Sequence, residues 1–286
     1  MLFALSAAVL TLAGWVAVRG RREAQRLHLT RVEVPVPHLP EALDGIEIIH
    51  LSDLHLTGYG PYEQDLLRAL RPLPARVVVI TGDFLGGPGG AQALIPLLME
   101  IGRDRIMLGV LGNHDYRPPV NTAALARDLA RAGVRLLVND AAVVVERGHR
   151  LRFVGVDDPH TDRADVEKAM AALPPPLGDQ REPVVVLAHS PDVFPDAERA
   201  GADLILAGHT HGGQVCLPGG FPLLTNTRRV GRRFARGLVD VGATPMFVTR
   251  GIGTSAVRLR LFCPPEIAVV RLVAAPSAPA SPADVP

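Results

Sequence analysis

Five short segments of this sequence carry side chains that commonly bind metal ions. They are Asp53-Leu-His55, Asp83, Asn113-His114-Asp115, His189 and His209-Thr-His211. In an extended chain, residues two apart point to the same side, so both side chains of an Asp-x-His or His-x-His pair can bind one ion. Glycines beside these segments let the backbone turn sharply and approach a ligand closely. One such histidine usually has a structural role, but five segments of this kind predict a metal site.

The chemistry of the candidate ligands indicates which ions they would hold. Two carboxylates, one amide oxygen and four imidazoles come from Asp53, His55, Asp83, Asn113, His189, His209 and His211. This mixture suits two borderline divalent ions such as Mn, Fe or Zn better than Ca²⁺, which takes oxygen ligands. A carboxylate between two ions can bridge them at roughly 3.5–4 Å, as in two-metal hydrolases. His114 and Asp115 exceed this ligand set, so His114 is free to act as an acid and Asp115 to orient it.

The hydrophobic pattern places these segments at the ends of predicted strands. Short apolar runs bounded by turn-forming residues are typical of buried strands, and the chain contains IEIIHLS, RVVVITG, RIMLGVLG, PVVVLAHS and ADLILAGH. Amphipathic stretches between them predict helices at 61–71, 90–101, 120–132 and 162–172. This alternation predicts an α/β fold whose site lies at the strand ends. The stretches 134–156 and 238–273 are richer in strand pattern and predict antiparallel strands added to this fold.

Composition excludes several classes of protein. The chain has 286 residues and a net charge of +1, so no overall field favours nucleic acid, and we expect no nucleic-acid partner. Cys216 and Cys263 are the only cysteines, which excludes a disulfide framework and a CxxC zinc cluster. Lys168 is the only lysine, and no Gly-Lys-Ser/Thr phosphate loop can be written. Nothing in the sequence predicts a protein partner.

The N-terminal segment predicts a membrane anchor. Residues 2–18 carry no charge, and at ~1.5 Å per residue they span roughly 26 Å as a helix, just short of a hydrocarbon core. Trp15 lies near one end, and the arginines of 19–26 follow at once. The positive-inside rule then places the catalytic domain on the cytoplasmic face of the cell membrane. The alternative is an apolar helix that packs on the domain or on a partner.

The sequence divides into four predicted parts. These are a transmembrane or signal-anchor segment at 1–18, a linker and edge segment at 19–44, one domain at 45–273 and a disordered Pro/Ala-rich tail at 274–286.

The ordered motifs resemble those of calcineurin-like metallophosphoesterases. The resemblance covers about Ile46 to Val273 and implies a four-layer αββα sandwich of two mixed sheets, here preceded by one N-terminal hydrophobic helix. It also implies a role for each motif residue: Asp53, His55 and His211 bind the first ion, Asp83 bridges, and Asn113, His189 and His209 complete the second. A hydroxide held between the ions would attack phosphorus, with His114 as general acid and Asp115 tuning it.

Further segments are similar to one bacterial, membrane-associated branch of that superfamily. They are GVDDPH at 155–160, GHTHGGQ at 208–214 and VTRGIGTSAVRLRLFCPPEI at 248–267. Some members of this branch are similar to hydrolases of UDP-2,3-diacylglucosamine, which implies a lipid-linked phosphodiester or pyrophosphate substrate and membrane lipid as a partner. Arg117 and Arg250, each beside a motif, are candidates for contacting a substrate phosphate. For Asp157, Asp158 and His160, a turn-capping role is favoured over an outer shell around the metals.

Two other functions remain open at this point. One is a broad phosphatase of soluble or protein-bound phosphomonoesters. The other is a membrane adaptor that keeps the fold and uses its metals structurally. The complete ligand set and the presence of His114 argue against the adaptor, whereas the sequence does not separate the two enzymes.

Overall fold

Two six-stranded sheets form the centre of the molecule. The computed structural model describes residues 2–87, 89–178 and 181–275. In spatial order the first sheet contains β1 (His28–Val36), β14 (Glu266–Ala274), β2 (Glu47–Leu51), β3 (Val77–Thr81), β4 (Ile106–Val110) and β5 (Val134–Leu136). The second contains β12 (Gly237–Val239), β13 (Met246–Val248), β9 (Leu204–Ala207), β8 (Val184–Leu187), β7 (His149–Gly155) and β6 (Asp140–Glu146). A small hairpin joins β10 (Cys216–Leu217) to β11 (Phe221–Pro222).

Both sheets are mixed, as the sequence predicts. Strands β2 to β5 run parallel, and so do β7, β8, β9 and β13. Antiparallel pairs join β14 to β2, β6 to β7 and β12 to β13, which confirms the predicted antiparallel additions. The five apolar runs form β2, β3, β4, β8 and β9, and their residues are almost all buried because both faces of these strands are covered.

The described residues form six α-helices, and all but the first pack on the outer faces of the sheets. They are α1 (Leu2–Ala24), α2 (Pro61–Leu70), α3 (Gly90–Ile101), α4 (Thr122–Arg131), α5 (Val166–Ala171) and α6 (Phe194–Arg199). Their starts follow local rules: proline opens α2, and the side chain of Asn121 caps α4 by accepting from the Ala124 N–H at 3.0 Å. The four predicted helical stretches contain α2 to α5, so those predictions are confirmed.

Three clusters of buried apolar side chains lie between the layers of the molecule. Between the sheets, Val79 and Leu108 of the first sheet join Phe153 and Leu187 of the second. A second cluster packs α2, α3 and α4 on the first sheet, and a third packs α5 and α6 on the second sheet. The layers therefore run helix, sheet, sheet, helix, and the loops at the strand ends of both sheets meet at one edge.

The N-terminal region differs in detail from the predicted boundaries. Helix α1 continues past residue 18 to Ala24, and the predicted linker and edge segment at 19–44 contributes β1, which pairs with β14 along nine residues at the edge of the first sheet. Within the described residues, no helix combines the length and the apolar character needed to cross a bilayer. Most of the predicted tail, residues 276–286, lies outside the described residues.

Candidate metal centre

The candidate ligands lie on loops that follow parallel strands of both sheets. Asp53 and His55 follow β2, Asp83 follows β3, and Asn113 follows β4 in the first sheet. In the second sheet, His189 follows β8, and the pair His209 and His211 follows β9. Parallel strands present their carboxyl ends at one edge, so these loops converge although they are far apart in sequence.

The backbone turns back on itself at most of these positions. Five of the candidate ligands have a positive φ, namely Asp53 (52°), His55 (42°), Asp83 (55°), His209 (69°) and His211 (50°). This left-handed conformation costs an L-residue roughly 1–2 kcal/mol. Such strain clusters at functional sites, where the surrounding structure enforces it. Here it turns the side chains toward one another.

Asp53, His55 and His211 form a first group. Their ligand atoms all lie within 4.8 Å of one another. Nε2 of His55 and Nε2 of His211 are 3.2 Å apart, and Oδ1 of Asp53 lies 3.3 Å from Nε2 of His211. This Asp53 oxygen is buried and accepts no hydrogen bond from the described residues. Two facing imidazole nitrogens and an unpaired carboxylate oxygen fit a divalent cation.

A second group gathers around His189. Nδ1 of His189 lies 2.7 Å from the carbonyl oxygen of Thr81, so it donates there and Nε2 is the nitrogen that faces the cluster. That Nε2 lies 3.1 Å from Oδ1 of Asn113 and 3.1 Å from Nδ1 of His209. Nε2 of His209 lies 3.0 Å from the carbonyl oxygen of Asn226, which leaves Nδ1 of His209 free in turn. These three side chains therefore converge on one point, as the ligands of a second cation would.

The carboxylate of Asp83 lies between the two groups. Its Oδ2 is 3.4 Å from Nε2 of His55 and 3.4 Å from Nε2 of His189. Its Oδ1 accepts the backbone N–H of His114 at 2.8 Å, which fixes the carboxylate. One oxygen at the same distance from a ligand of each group is the position that a bridging carboxylate occupies.

Burial and charge set the protonation of this cluster. Burial, aided by the charge of His189, lowers the pKa of His209 to about 3. Burial and the charge of His55 likewise hold the pKa of His211 well below its usual range. Burial also pushes down the pKa of His189, but Asp83, helped by Asp53, raises it to about 10. Two of the imidazoles are therefore already neutral, the form that binds metals.

His114 lies at the mouth of the cluster and is half-buried. Its ring is perpendicular to that of His55, with 5.0 Å between the centroids. Its Nε2 lies 3.3 Å from Nη1 of Arg117, whose side chain is exposed, and 3.5 Å from the hydroxyl of Ser255. Burial lowers the pKa of His114, with the charge of Asp83 acting in the opposite direction. Arg117 and His114 therefore lie together beside the candidate metal positions.

Asp115 contacts the backbone, although the sequence suggested that it orients His114. Its carboxylate accepts the N–H groups of Asp83, Phe84 and Gly112, each at 2.9 Å. Burial and the nearby charge of Asp83 raise the pKa of Asp115 to about 7. The contacts of Asp115 hold the turn that carries Asp83.

Comparison with known families agrees with this geometry. The sequence model of the calcineurin-like phosphoesterase family matches residues 46–213, which contain all of the candidate ligands. The chain belongs to this family. It is therefore a metallophosphoesterase, with an αββα arrangement built on two large mixed sheets and with a phosphoester as substrate.

Three relatives extend the comparison over most of the chain. A transmembrane protein with metallophosphoesterase domain from Bos taurus is 33% identical over 276 residues, which cover 88% of this chain and 59% of the relative. Phosphodiesterase YaeI of Escherichia coli is 29% identical, over 79% of this chain and 82% of the relative. UDP-2,3-diacylglucosamine pyrophosphatase LpxG of Chlamydia muridarum is 25% identical, over 89% and 92%.

In the structure of this metallophosphoesterase, Arg250 pairs with another residue of the chain and is not free to contact a substrate phosphate as the sequence predicts. Its Nη2 lies 2.8 Å from Oε1 of Glu266 on β14 and 3.3 Å from the hydroxyl of Thr30 on β1. The backbone N–H of Arg250 donates to the same Glu266 at 2.9 Å. The charge predicted to contact a substrate phosphate is thus engaged in an ion pair that joins the 248–253 loop to the first sheet.

Arg260 is a residue that the sequence did not single out. It is fully buried, and its guanidinium donates to the carbonyl oxygens of Gly253, Arg250 and Gly251 at 2.6, 2.8 and 3.1 Å. It also lies 3.2 Å from Nδ1 of His211. As one of many arginines it gives no local signal, because its partners come from other loops.

A cavity of about 430 Å³ opens beside the candidate metal ligands. Its lining includes Asp83, Asn113, His114, His209 and His211, together with apolar side chains, here called the apolar wall, that include Val215, Leu223, Leu224, Ala256 and Val257. Leu224 is 79% exposed and Val257 is 49% exposed, so this apolar wall reaches the surface. The cavity can therefore hold a ligand with both a phosphate and an apolar group.

Proposed function

We propose that this metallophosphoesterase uses two divalent ions to hydrolyse a phosphodiester or pyrophosphate bond of a lipid-linked substrate at a membrane surface. The observation that carries the two-ion centre is the position of Asp83 Oδ2, at the same distance from His55 and His189. A single-ion site needs no carboxylate in that position.

The candidate ligands divide between two ion positions. Asp53, His55 and His211 would hold the first ion, Asn113, His189 and His209 the second, and Asp83 would bridge. Mn, Fe and Zn all suit these ligands. When bound, two such ions neutralise the phosphoryl oxygens and activate water as the nucleophile.

The chain's own residues perform the remaining steps. His114 gives a proton to the leaving oxygen, and its position at the mouth of the cluster suits that task. Arg117, 3.3 Å from the His114 ring, binds a phosphoryl oxygen and orients the ester. Asp115 acts as a positioning residue, since its three backbone contacts hold the turn of Asp83.

Two observations support a lipid-linked substrate. The apolar wall of the cavity offers a path for an acyl chain beside the candidate metals. The relative LpxG is named as a UDP-2,3-diacylglucosamine pyrophosphatase. We therefore extend the proposal to a nucleotide-linked acylated sugar of that type.

Helix α1 supports the location at a membrane. It exposes Leu10, Trp15 and Val18, and the backbone N–H of Arg260 donates to the Gly20 carbonyl at 3.0 Å. The segment from Ser255 to Cys263 thus connects the cavity wall to the end of α1. Arginines that follow the uncharged run favour a cytoplasmic face for the domain at 45–273, with residues 1–18 as the anchor.

A hydrolysis screen tests this function. The full chain in detergent micelles, loaded with Mn²⁺, is given bis-p-nitrophenyl phosphate, p-nitrophenyl phosphate or UDP-2,3-diacylglucosamine. We expect turnover of the nucleotide lipid, and we expect Asp83→Asn to lose both activity and bound metal. Asp65→Asn, at an exposed position, is the matched control.

His114→Ala should retain its metal but lose turnover of the lipid by about 10²–10⁴-fold. The loss should be smaller for nitrophenyl esters, because nitrophenolate leaves without a proton. His149→Ala is the exposed control. Turnover of the monoester alone would favour the phosphatase alternative, and absence of any turnover in a metal-loaded protein would favour the adaptor.

A further inference from the structure

The carboxylate of Asp158 is buried without a partner. Its side chain has 0% exposure, and neither Oδ1 nor Oδ2 accepts a hydrogen bond from any described residue. Asp158 begins the short turn Pro159–Thr161, but its side chain does not cap that turn, so the capping role favoured by the sequence is wrong for this residue. A buried carboxylate without compensation is strongly unfavourable. A cation bound nearby would compensate this charge.

The neighbours of Asp158 are already engaged. Asp157 accepts the hydroxyl of Tyr116 at 2.7 Å and the backbone N–H of Asp158 at 2.8 Å. Nε2 of His160 lies 3.0 Å from Asp192 and 3.2 Å from the hydroxyl of Ser190. The side chains of Asp157 and His160 thus have partners of their own, and neither pairs with the carboxylate of Asp158.

The topology places Asp158 at the same edge of the sheet as His189, a candidate ligand of the second ion. Strand β7 runs parallel to β8, with Gly155 opposite Leu187. Asp158 follows the first strand and His189 the second, so both lie at the same edge of the sheet. Asp158 is also one of the carboxylates whose charge acts on His189. No hydrogen bond or ion pair among the described residues joins Asp158 to a candidate ligand, so we place it outside the ligand set.

We propose that Asp158 is the counter-charge of the second ion. From outside the ligand set, its buried carboxylate strengthens the binding of a divalent cation at the position defined by His189 and His209. The cation in turn removes the cost of burying the carboxylate. This inference rests on the proposed function, because it requires a two-ion centre.

The substitution Asp158→Asn removes the charge and keeps the shape. The full chain in detergent is stripped with EDTA, and Mn²⁺ binding is then measured by calorimetry and by elemental analysis of bound metal. Thermal unfolding is recorded with and without Mn²⁺. Two matched controls are Asp162→Asn, an exposed position in the same turn, and Asp157→Asn, a carboxylate with partners.

We expect opposite effects with and without metal. Without metal, Asp158→Asn should unfold a few degrees higher than the parent, because the unpaired charge is gone. With Mn²⁺, the second ion should bind about 10- to 100-fold more weakly, and the stabilisation by metal should shrink accordingly. Asp157→Asn should unfold at a lower temperature without metal, and Asp162→Asn should match the parent in every measurement.

Two results would overturn the inference. If Asp158→Asn unfolds at a lower temperature without metal and binds both ions as tightly as the parent, Asp158 has only a structural role, while the proposed function stands. If the parent itself binds no second ion, the two-ion centre of the proposed function fails, and this inference fails with it.

Discussion

Replacing Arg260 by lysine tests how the first ion position is built. The guanidinium of Arg260 bonds to carbonyl oxygens of the 250–253 loop at 2.6 to 3.1 Å and reaches Nδ1 of His211. The same loop supports Asp53, because the N–H of Gly253 donates to the Asp53 carbonyl at 2.7 Å. Arg260 therefore connects His211 with the loop that supports Asp53.

The size of the effect follows from the number of donors. Arginine offers five N–H donors in a fixed plane, whereas a lysine ammonium offers three, so at least about two bonds to carbonyl oxygens are lost. A hydrogen bond to a charged group is worth about 1.5–3 kcal/mol, which gives a total of about 3–6 kcal/mol. In a domain of this size, about 1 kcal/mol lowers the melting temperature by roughly 2–4 °C. We expect a decrease of about 6–24 °C.

Thermal unfolding of the metal-loaded full chain measures this decrease. Calorimetry with Mn²⁺ measures the affinity for the first ion. We expect the affinity for that ion to fall by about 10- to 100-fold, as is usual when a group that orients a ligand is changed. Arg258→Lys is the matched control, since Arg258 is exposed two residues earlier. If Arg260→Lys keeps both the melting temperature and the affinity of the parent, Arg260 does not position this site.

Two further substitutions test other parts of the site. In Gly208→Ala, the new Cβ would lie 2.6 Å from Oδ2 of Asp53, so we expect a stability loss of about 1–3 kcal/mol and weaker metal binding, whereas Gly58→Ala, with open space around it, should change neither. In Asp192→Ala, the backbone N–H groups of Arg228 and Arg229 lose the acceptor that lies 2.8 and 2.7 Å away. The loop should then open more often, and trypsin should cleave it at these arginines at least about tenfold faster. A tenfold change corresponds to a loss of only about 1.4 kcal/mol. Burial alone would raise the pKa of Asp192, but His160 and these N–H groups lower it to about 2. The carboxylate therefore stabilises the loop fully at pH values above the pKa of an aspartate in the unfolded chain. The loop of the parent should stay protected from cleavage down to about pH 4. Equal cleavage rates in the parent and in Asp192→Ala would show that another contact holds the loop.

Much of the fold is predictable because its signals are local. Each parallel strand is a short apolar run bounded by turn residues, and each amphipathic stretch of 61–71, 90–101 and 120–132 has the period of a helix. The boundary of α1 is less predictable, since residues 19–24 continue the helix by packing on the segment around Arg260.

The candidate ligands are also readable from the sequence. Ligand chemistry is a property of residue type and close spacing, as in the pair Asp53 and His55, so the sequence itself determines which side chains could bind a metal. Their convergence follows from the parallel order of the strands, which the α/β alternation already indicates.

Tertiary structure alone decided the roles of four charged residues. Asp115 supports the turn of Asp83, Arg250 pairs with Glu266, Arg260 supports the first group from behind, and Asp158 is buried without a partner. The partners of Arg260 and Arg250 lie on separate loops and strands, and no local pattern marks them. A charged side chain looks the same in the sequence whether it faces substrate, backbone or core, because its role depends on burial and on neighbours that only the folded chain brings together.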